Sequence, residues 1–115
     1  MIRPGQVYMA DFAEAGPHPV IVLSREELNR GRYALVVVCT SARFAVRSQL
    51  PNCVPFRGDD FGFTADCVAQ CENLLSIELS QLDLADGPLG MLDDMAFRDV
   101  IKAIGYVMDS ECEPA

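Results

Sequence analysis

The chain has 115 residues, half of them apolar, and a formal net charge of −8. This length suits one hydrophobic core without cross-links and is too short for two, so we expect one domain over residues 1 to 115. The apolar runs are far shorter than the ~20 residues that cross a bilayer, which excludes a membrane-spanning helix.

Most of the chain predicts β-strands. Val7 to Ala10 is rich in strand-forming residues and follows the turn dipeptide Pro4-Gly5. Pro19 to Leu23 and Tyr33 to Cys39 are nearly continuous apolar runs, typical of strands covered on both faces. Prolines inside a fourth segment place it at a sheet edge. That segment and the remaining predicted strands are Leu50 to Phe56, Thr64 to Val68 and Asn73 to Glu78.

The end of the chain predicts an amphipathic helix. Apolar residues recur at steps of three and four from Leu92 to Met108, and Asp93 and Asp94 lie in the first turn, where the helix dipole favours carboxylates. Residues 80 to 84 suggest a short helical turn, and residues 110 to 115 a frayed tail. Strands followed by a closing helix predict a mainly β protein, a small partly open β-barrel of five to seven strands.

The charges are unevenly distributed along the chain. The segment from Arg25 to Arg57 carries +4, which leaves −12 for the remainder. An anionic partner such as RNA would bind at the basic segment. The alternative is that its arginines only solvate the loops between apolar strands. These arginines are Arg25, Arg30, Arg32, Arg43, Arg47 and Arg57.

The cysteines indicate a reducing environment. Five cysteines leave at least one unpaired, and the N-terminus lacks a secretion signal. We therefore expect a cytoplasmic protein with free thiols. Cys67 and Cys71 could share a strand face, but their spacing is unusual for structural zinc and no fourth ligand is evident. Buried apolar thiols, with no metal and no cofactor, are the favoured interpretation.

Several motifs together resemble the MazF/PemK family of toxin ribonucleases, whose fold is an SH3-like barrel. The match covers nearly the whole chain, although no single motif is diagnostic. Within residues 66 to 78, two positions depart from the family pattern: Asn73 replaces a glutamine and Leu75 replaces an arginine. The motifs are Pro4 to Phe12, His18 to Ser24, Val36 to Ser41, Asp66 to Glu78 and Leu92 to Asp94.

This resemblance implies a toxin of a type II toxin–antitoxin pair that cleaves single-stranded RNA without a metal. The ribose 2′-hydroxyl attacks the adjacent phosphorus, which requires a base, an acid for the leaving 5′-oxygen and donors for the phosphate oxygens. The implied partners are a second copy of the chain, which completes an RNA groove, and a small antitoxin that covers it.

The resemblance also implies an active-site pair, an arginine before the strand-two proline and a threonine at the end of strand three. Thr40 matches the threonine. The alternative is that its hydroxyl, together with Ser41, only caps the turn that follows the strand. The arginine is replaced by His18, the chain's only histidine. An imidazole can transfer protons near pH 7 but offers no bidentate fork to phosphate. The alternative is that His18 is an ordinary surface residue. A zinc site at His18 is disfavoured because the chain has no second imidazole to complete it.

Further residues are candidates for binding RNA around this pair. The loop from Ala13 to Pro17 is several residues shorter than is typical of the family, in which a glutamate or glutamine of this loop helps line the RNA groove. Glu14 would replace that residue, and loop arginines would supply the missing cation. The candidates are Glu14, Arg25, Arg30, Ser41, Arg43 and Arg47.

The rival hypothesis is a barrel of the same family that no longer cleaves RNA and serves as a binding or regulatory module. The loss of the two family arginines and the negative charge of the chain outside the basic segment favour this rival hypothesis. Thr40 and the basic segment favour the enzyme. Gyrase poisoning, as by the CcdB toxin of the same fold, is disfavoured because the chain has no tryptophan.

Overall fold

The structure, a computed structural model, describes residues 1 to 109, so the predicted tail of residues 110 to 115 lies outside it. The described residues form six strands and two helices, joined by short helical turns. The strands are β1 Gln6–Asp11, β2 Pro17–Val22, β3 Tyr33–Thr40, β4 Cys53–Phe56, β5 Cys67–Glu78 and β6 Gly90–Met91. The helices are α1 Phe44–Arg47 and α2 Asp94–Val107.

The strands form one curled sheet in the order β4-β5-β3-β2-β1-β6. Every neighbouring pair is antiparallel. The chain after β5 folds back onto β1, where Leu82 bridges to Ala10. The predicted partly open barrel of five to seven strands is therefore confirmed, with β4 and its Pro55 at an edge as expected.

Both faces of the central strands are buried. Val37 and Cys39 face one core, which α2 covers with Val100 and Ala103. Val36 and other alternate residues of the same strands face a second core on the opposite side of the sheet. Two cores on opposite faces explain why β2 and β3 are almost continuous apolar runs rather than alternating patterns.

The two segments predicted as separate strands at residues 64 to 68 and 73 to 78 form one strand, β5. Its register against β3 shifts between Val37, which pairs with Leu74, and Val38, which pairs with Gln70. The extra β5 residues form a bulge that bends the strand and lets the sheet curl. The polar residues in this bulge hid the continuity of the strand in the sequence.

The C-terminal helix agrees with the prediction for residues 92 to 108 within two residues at its start. The Asp93 carboxylate accepts a hydrogen bond from the Ala96 amide at 2.8 Å and caps the helix. No helix among residues 1 to 109 is both long enough and apolar enough to span a membrane.

The loop between β4 and β5 is held tightly against the body of the protein. Gly62 and Gly90 meet backbone to backbone, and a Cβ added at Gly90 would lie 2.0 Å from the Phe61 carbonyl oxygen. At the base of the loop, Asp66 accepts hydrogen bonds from Arg57 at 2.9 Å and from the Gly58 amide at 2.8 Å. These contacts fix the loop that forms one wall of the candidate site.

Candidate active site

The two residues that the resemblance implies as catalytic lie at neighbouring strand ends. β2 begins at Pro17, and β3 ends at Thr40. The strands are antiparallel, with Val20 paired to Val38. Continuing that register by two residues places His18 across from Thr40. The sheet thus brings together two residues that are distant in the sequence.

The imidazole of His18 lies between two backbone carbonyls. Nδ1 is 3.3 Å from the Cys39 oxygen, and Nε2 is 3.1 Å from the Ala15 oxygen. The ring also packs near Phe12, with 6.1 Å between ring centroids. An imidazolium would donate to both carbonyls, whereas a neutral ring would donate to only one. His18 is half-buried, which argues against a freely solvated surface side chain.

Thr40 is buried, with 9% of its surface exposed. Its Oγ1 accepts a hydrogen bond from the Ala42 amide at 3.2 Å. The hydroxyl therefore caps the turn after β3, as the alternative interpretation predicted. A hydroxyl that accepts one bond still has its own proton to donate. Capping and a role at a phosphate oxygen are therefore compatible.

His18 and Thr40 line one cleft of about 230 Å³, together with Ser41. The opposite wall is the β4–β5 loop, represented by residues 63 to 65, and the cleft is also lined by Cys67. No pattern in the sequence indicates this wall, because only the folding of the sheet brings it to the strand ends. A wider groove of about 430 Å³ adjoins the cleft and shares Met9 and Pro17 with it.

The candidate arginines divide into two groups. Arg43 and Arg47 lie on and beside α1, directly after Thr40, and Arg47 Nη1 donates to the Ala42 oxygen at 3.2 Å. Arg25 and Arg30 lie in the β2–β3 connection, at the opposite end of those strands. Within residues 1 to 109, the side chains that line the cleft include no arginine.

The remaining candidate, Glu14, lies on the helical turn Ala13–Ala15 and is exposed. The same turn supplies the Ala15 carbonyl that contacts His18. Glu14 is therefore on the rim of the site rather than among the residues that line the cleft.

Four cysteines in the described residues are buried free thiols: Cys39, Cys53, Cys67 and Cys71. Within those residues no group of three or more histidine, cysteine or acidic side chains is arranged to hold a metal. Burial raises the pKa of the Cys71 thiol to about 12. Interaction with Cys67 and burial raise the pKa of Cys39, whereas the hydrogen bond from Cys39 lowers the pKa of Cys67.

Comparison with known proteins agrees with this architecture. Residues 3 to 108 match the model of the PemK-like, MazF-like toxin of type II toxin–antitoxin systems. The chain belongs to this family. It is also similar to a probable endoribonuclease, MazF5 of Mycobacterium tuberculosis, with 32% identity over 106 residues that cover 91% of each chain.

Solved MazF structures share the fold at lower identity. A mycobacterial endoribonuclease in complex with its cognate antitoxin superposes with a TM-score of 0.76, at 20% identity, over 95% of this chain and 96% of that one. For the Mycobacterium tuberculosis toxin MazF-mt6 the TM-score is 0.75, at 22% identity, over 90% and 96%. MazF in a MazE–MazF complex from Deinococcus radiodurans gives 0.72, at 16% identity, over 93% and 94%.

The two departures from the MazF-like arginine pattern lie at different distances from the cleft. His18 lies in it. Leu75 pairs with Val36, four residues before Thr40 along β3, and 36% of its surface is exposed. The substitution at His18 therefore changes the chemistry of the cleft directly, whereas that at Leu75 changes a part of the sheet away from it.

Proposed function

We propose that the protein is an endoribonuclease toxin that cleaves single-stranded RNA at the His18–Thr40 cleft without a metal ion. The observation that carries this proposal is the placement of the two side chains at adjacent strand ends on one cleft. Membership of a MazF-like toxin family, and a relative described as a probable endoribonuclease, favour cleavage over a binding-only role.

His18 would protonate the leaving 5′-oxygen. The ring lies against two carbonyl acceptors, an arrangement that suits a cationic imidazolium with an N–H at each nitrogen. The contact between Nε2 and Ala15 is on the exposed side of the ring, so this N–H could turn toward the substrate while the contact at Cys39 keeps the ring oriented. Such a group provides general acid catalysis, while the proton of the attacking 2′-hydroxyl passes to water in the cleft.

Thr40 would stabilise charge on the phosphate. Its Oγ1 is fixed by the Ala42 amide, so the hydroxyl proton is available to a phosphate oxygen as negative charge develops there. Ser41 lines the same cleft and offers a second hydroxyl. Arg43 and Arg47 would add positive charge beside the cleft, while Arg25 and Arg30 would contact only nucleotides far from the cleaved bond.

The proposed partners are a second copy of the chain and a small antitoxin, and the proposed compartment is the cytoplasm. The antitoxin is proposed by analogy with the mycobacterial complex. The dimer is supported by exposed apolar side chains on and directly after α2, among them Ile101 and Met108. An antitoxin that covers the RNA groove would keep the toxin inactive until the antitoxin is lost.

The rival function, a binding module that does not cleave, keeps one observation in its favour. Both ring nitrogens of His18 already face backbone carbonyls, and no arginine of the described residues lines the cleft. Such a site could hold RNA without reacting with it.

A cleavage assay separates the two functions. Purified protein is incubated with a long unstructured RNA in the presence of a metal chelator, and the products are separated on a gel. We expect discrete fragments ending in 2′,3′-cyclic phosphates, because the attacking group is the ribose hydroxyl. A matched RNA with a 2′-deoxyribose at the mapped site should stay intact. Uncleaved RNA at high protein excess would refute the enzyme and leave the binding module.

A further inference from the structure

Two buried thiols lie directly behind the candidate site. Cys39 of β3 pairs with Ala69 of β5, and Cys67 is two residues from Ala69 on the same face of that strand. All three belong to the core beneath α2. Cys67 also lines the His18–Thr40 cleft. One member of the pair thus reaches the site, and the other lies deeper in the core.

The two thiols influence each other's ionisation, because they face the same core from adjacent strands. Their interaction lowers the pKa of Cys67 and raises that of Cys39. The thiolate is the reactive form of cysteine, so Cys67 is the better nucleophile of the two. Its place on the cleft gives a small oxidant a route to it. Cys71, with a pKa of about 12, remains a thiol.

Cys39 is coupled to the site through its backbone. Its carbonyl oxygen lies 3.3 Å from His18 Nδ1, and the next residue is Thr40. A displacement of Cys39 would therefore move the acceptor that orients the imidazole and the residue that carries the hydroxyl.

We propose that Cys67 and Cys39 are a peroxide-sensitive pair whose oxidation to a disulfide distorts the His18–Thr40 cleft. The Cys67 thiolate attacks one oxygen of hydrogen peroxide, the O–O bond breaks, and a sulfenic acid and hydroxide form. The Cys39 sulfur then attacks the sulfenic sulfur, the S–O bond breaks, and the lost proton and hydroxyl leave as water. Overall, two thiols and one peroxide give one disulfide and two waters.

The expected distortion follows from strand geometry. Diagonal neighbours on adjacent strands have Cα atoms about 7–8 Å apart. A disulfide requires a Cα separation of at most about 6.8 Å. The end of β3 must therefore move toward β5 by roughly an ångström when the bond forms. That movement carries the Cys39 carbonyl and Thr40 with it.

The first test maps the disulfide. The folded full-length protein is treated with hydrogen peroxide, its remaining thiols are blocked, and tryptic peptides are analysed by mass spectrometry. We expect residues 33 to 43 linked to residues 58 to 98, with fragment ions assigning the link to Cys67. Cys67→Ser should abolish the link. Cys53→Ser, which removes a buried thiol outside the cleft, is the matched control and should leave it unchanged.

The second test reads the site without any enzymatic activity. His18 is the chain's only histidine, so the Hε1 proton of its ring gives one unambiguous imidazole signal in an NMR spectrum. We expect oxidation to shift that signal and a reducing agent to restore it in wild type, with no shift in Cys67→Ser. The same treatment should abolish RNA cleavage reversibly, an expectation that rests on the proposed function.

The outcomes that overturn the proposal are distinct from failure of the ribonuclease function. Thiols that stay reduced at peroxide excess, or a link to Cys53, Cys71 or Cys112 in place of the expected one, would refute the pair. A Cys39–Cys67 link that leaves the His18 signal unchanged would refute its coupling to the site. If wild type cleaves no RNA, the proposed function fails, while both thiol readouts still decide this proposal.

Discussion

His18 occupies a position at which the family resemblance implies an arginine, and the two side chains differ in what they offer a phosphodiester. An arginine is always charged and presents a fork of donors, but it does not release a proton at ordinary pH. An imidazole can release one. The contacts to Ala15 and Cys39 hold the ring at the cleft, with one backbone carbonyl oxygen facing each ring nitrogen.

This difference gives a prediction for His18→Arg. If His18 acts as an acid, the arginine variant should bind RNA at least as well as wild type, because it adds a fixed charge. It should cleave roughly 10²–10⁴-fold more slowly, because the proton donor is lost. Single-turnover cleavage and filter binding on the same RNA measure the two effects. An inactive wild type made active by His18→Arg would instead indicate a site that lost function with its arginine.

At the scale of elements, Asp66 secures the base of the β4–β5 loop. The hydrogen bonds from the Gly58 amide and from Arg57 hold the pKa of this carboxyl below its usual value. The ionised form therefore stabilises the fold at pH values above the pKa of the unfolded chain. That contribution is lost as pH falls through the lower pKa of the folded state.

We accordingly expect Asp66→Asn to lower the melting temperature at pH 7 and to differ progressively less from wild type as the pH falls below about 4. Thermal unfolding followed by circular dichroism across this range measures the difference. Asp60→Asn changes an exposed carboxylate in the same loop and is the matched control. A gap between Asp66→Asn and wild type that persists unchanged at low pH would show that the carboxylate charge is not the cause.

The same loop depends on a close backbone approach. A Cβ at Gly90 would meet the Phe61 carbonyl, so Gly90→Ala should push the loop away from β6. We expect a loss of about 1–3 kcal/mol in the free energy of unfolding, typical of overpacking. Gly31→Ala is the control, because its Cβ would lie 4.0 Å from the nearest neighbour. Urea unfolding curves of both variants test this, and equal stabilities would contradict it.

The sequence predicted the elements better than the walls of the site. The uniform apolar runs of β2 and β3 and the spacing of α2 follow from local composition, so these elements were predicted correctly. The bulge in β5 was not, because its polar residues interrupt the strand pattern. The family resemblance predicted that His18 and Thr40 act at one site. Phe63 and Cys67 reach the cleft only because the sheet curls in the folded protein, so no local pattern could predict them.

At the scale of the whole molecule, the exposed surface of α2 carries large apolar side chains among its charged ones. Ile101 and Met108 are two turns apart on one face and are 47% and 63% exposed. Exposed apolar surface of this kind marks an interface. A second copy of the chain is the occupant that we propose.

Light scattering should therefore give twice the 12.6 kDa mass of one chain at micromolar concentration. Ile101→Asp should shift the protein toward the monomer, because it would bury a charge in the interface. Met95→Asp alters another exposed apolar residue of α2, on a different face, and should leave the mass unchanged. A wild-type monomer, or equal masses for both variants, would count against this interface.

The central claim is that His18 and Thr40 act together on one phosphodiester. Single-turnover cleavage rates for wild type, His18→Ala, Thr40→Ala and the double variant test it most directly. Residues that act as a unit have strongly non-additive effects. We therefore predict that each single variant is slow and that the double variant is about as slow as the slower single one. Losses that multiply in the double variant, or single variants as fast as wild type, would contradict the account.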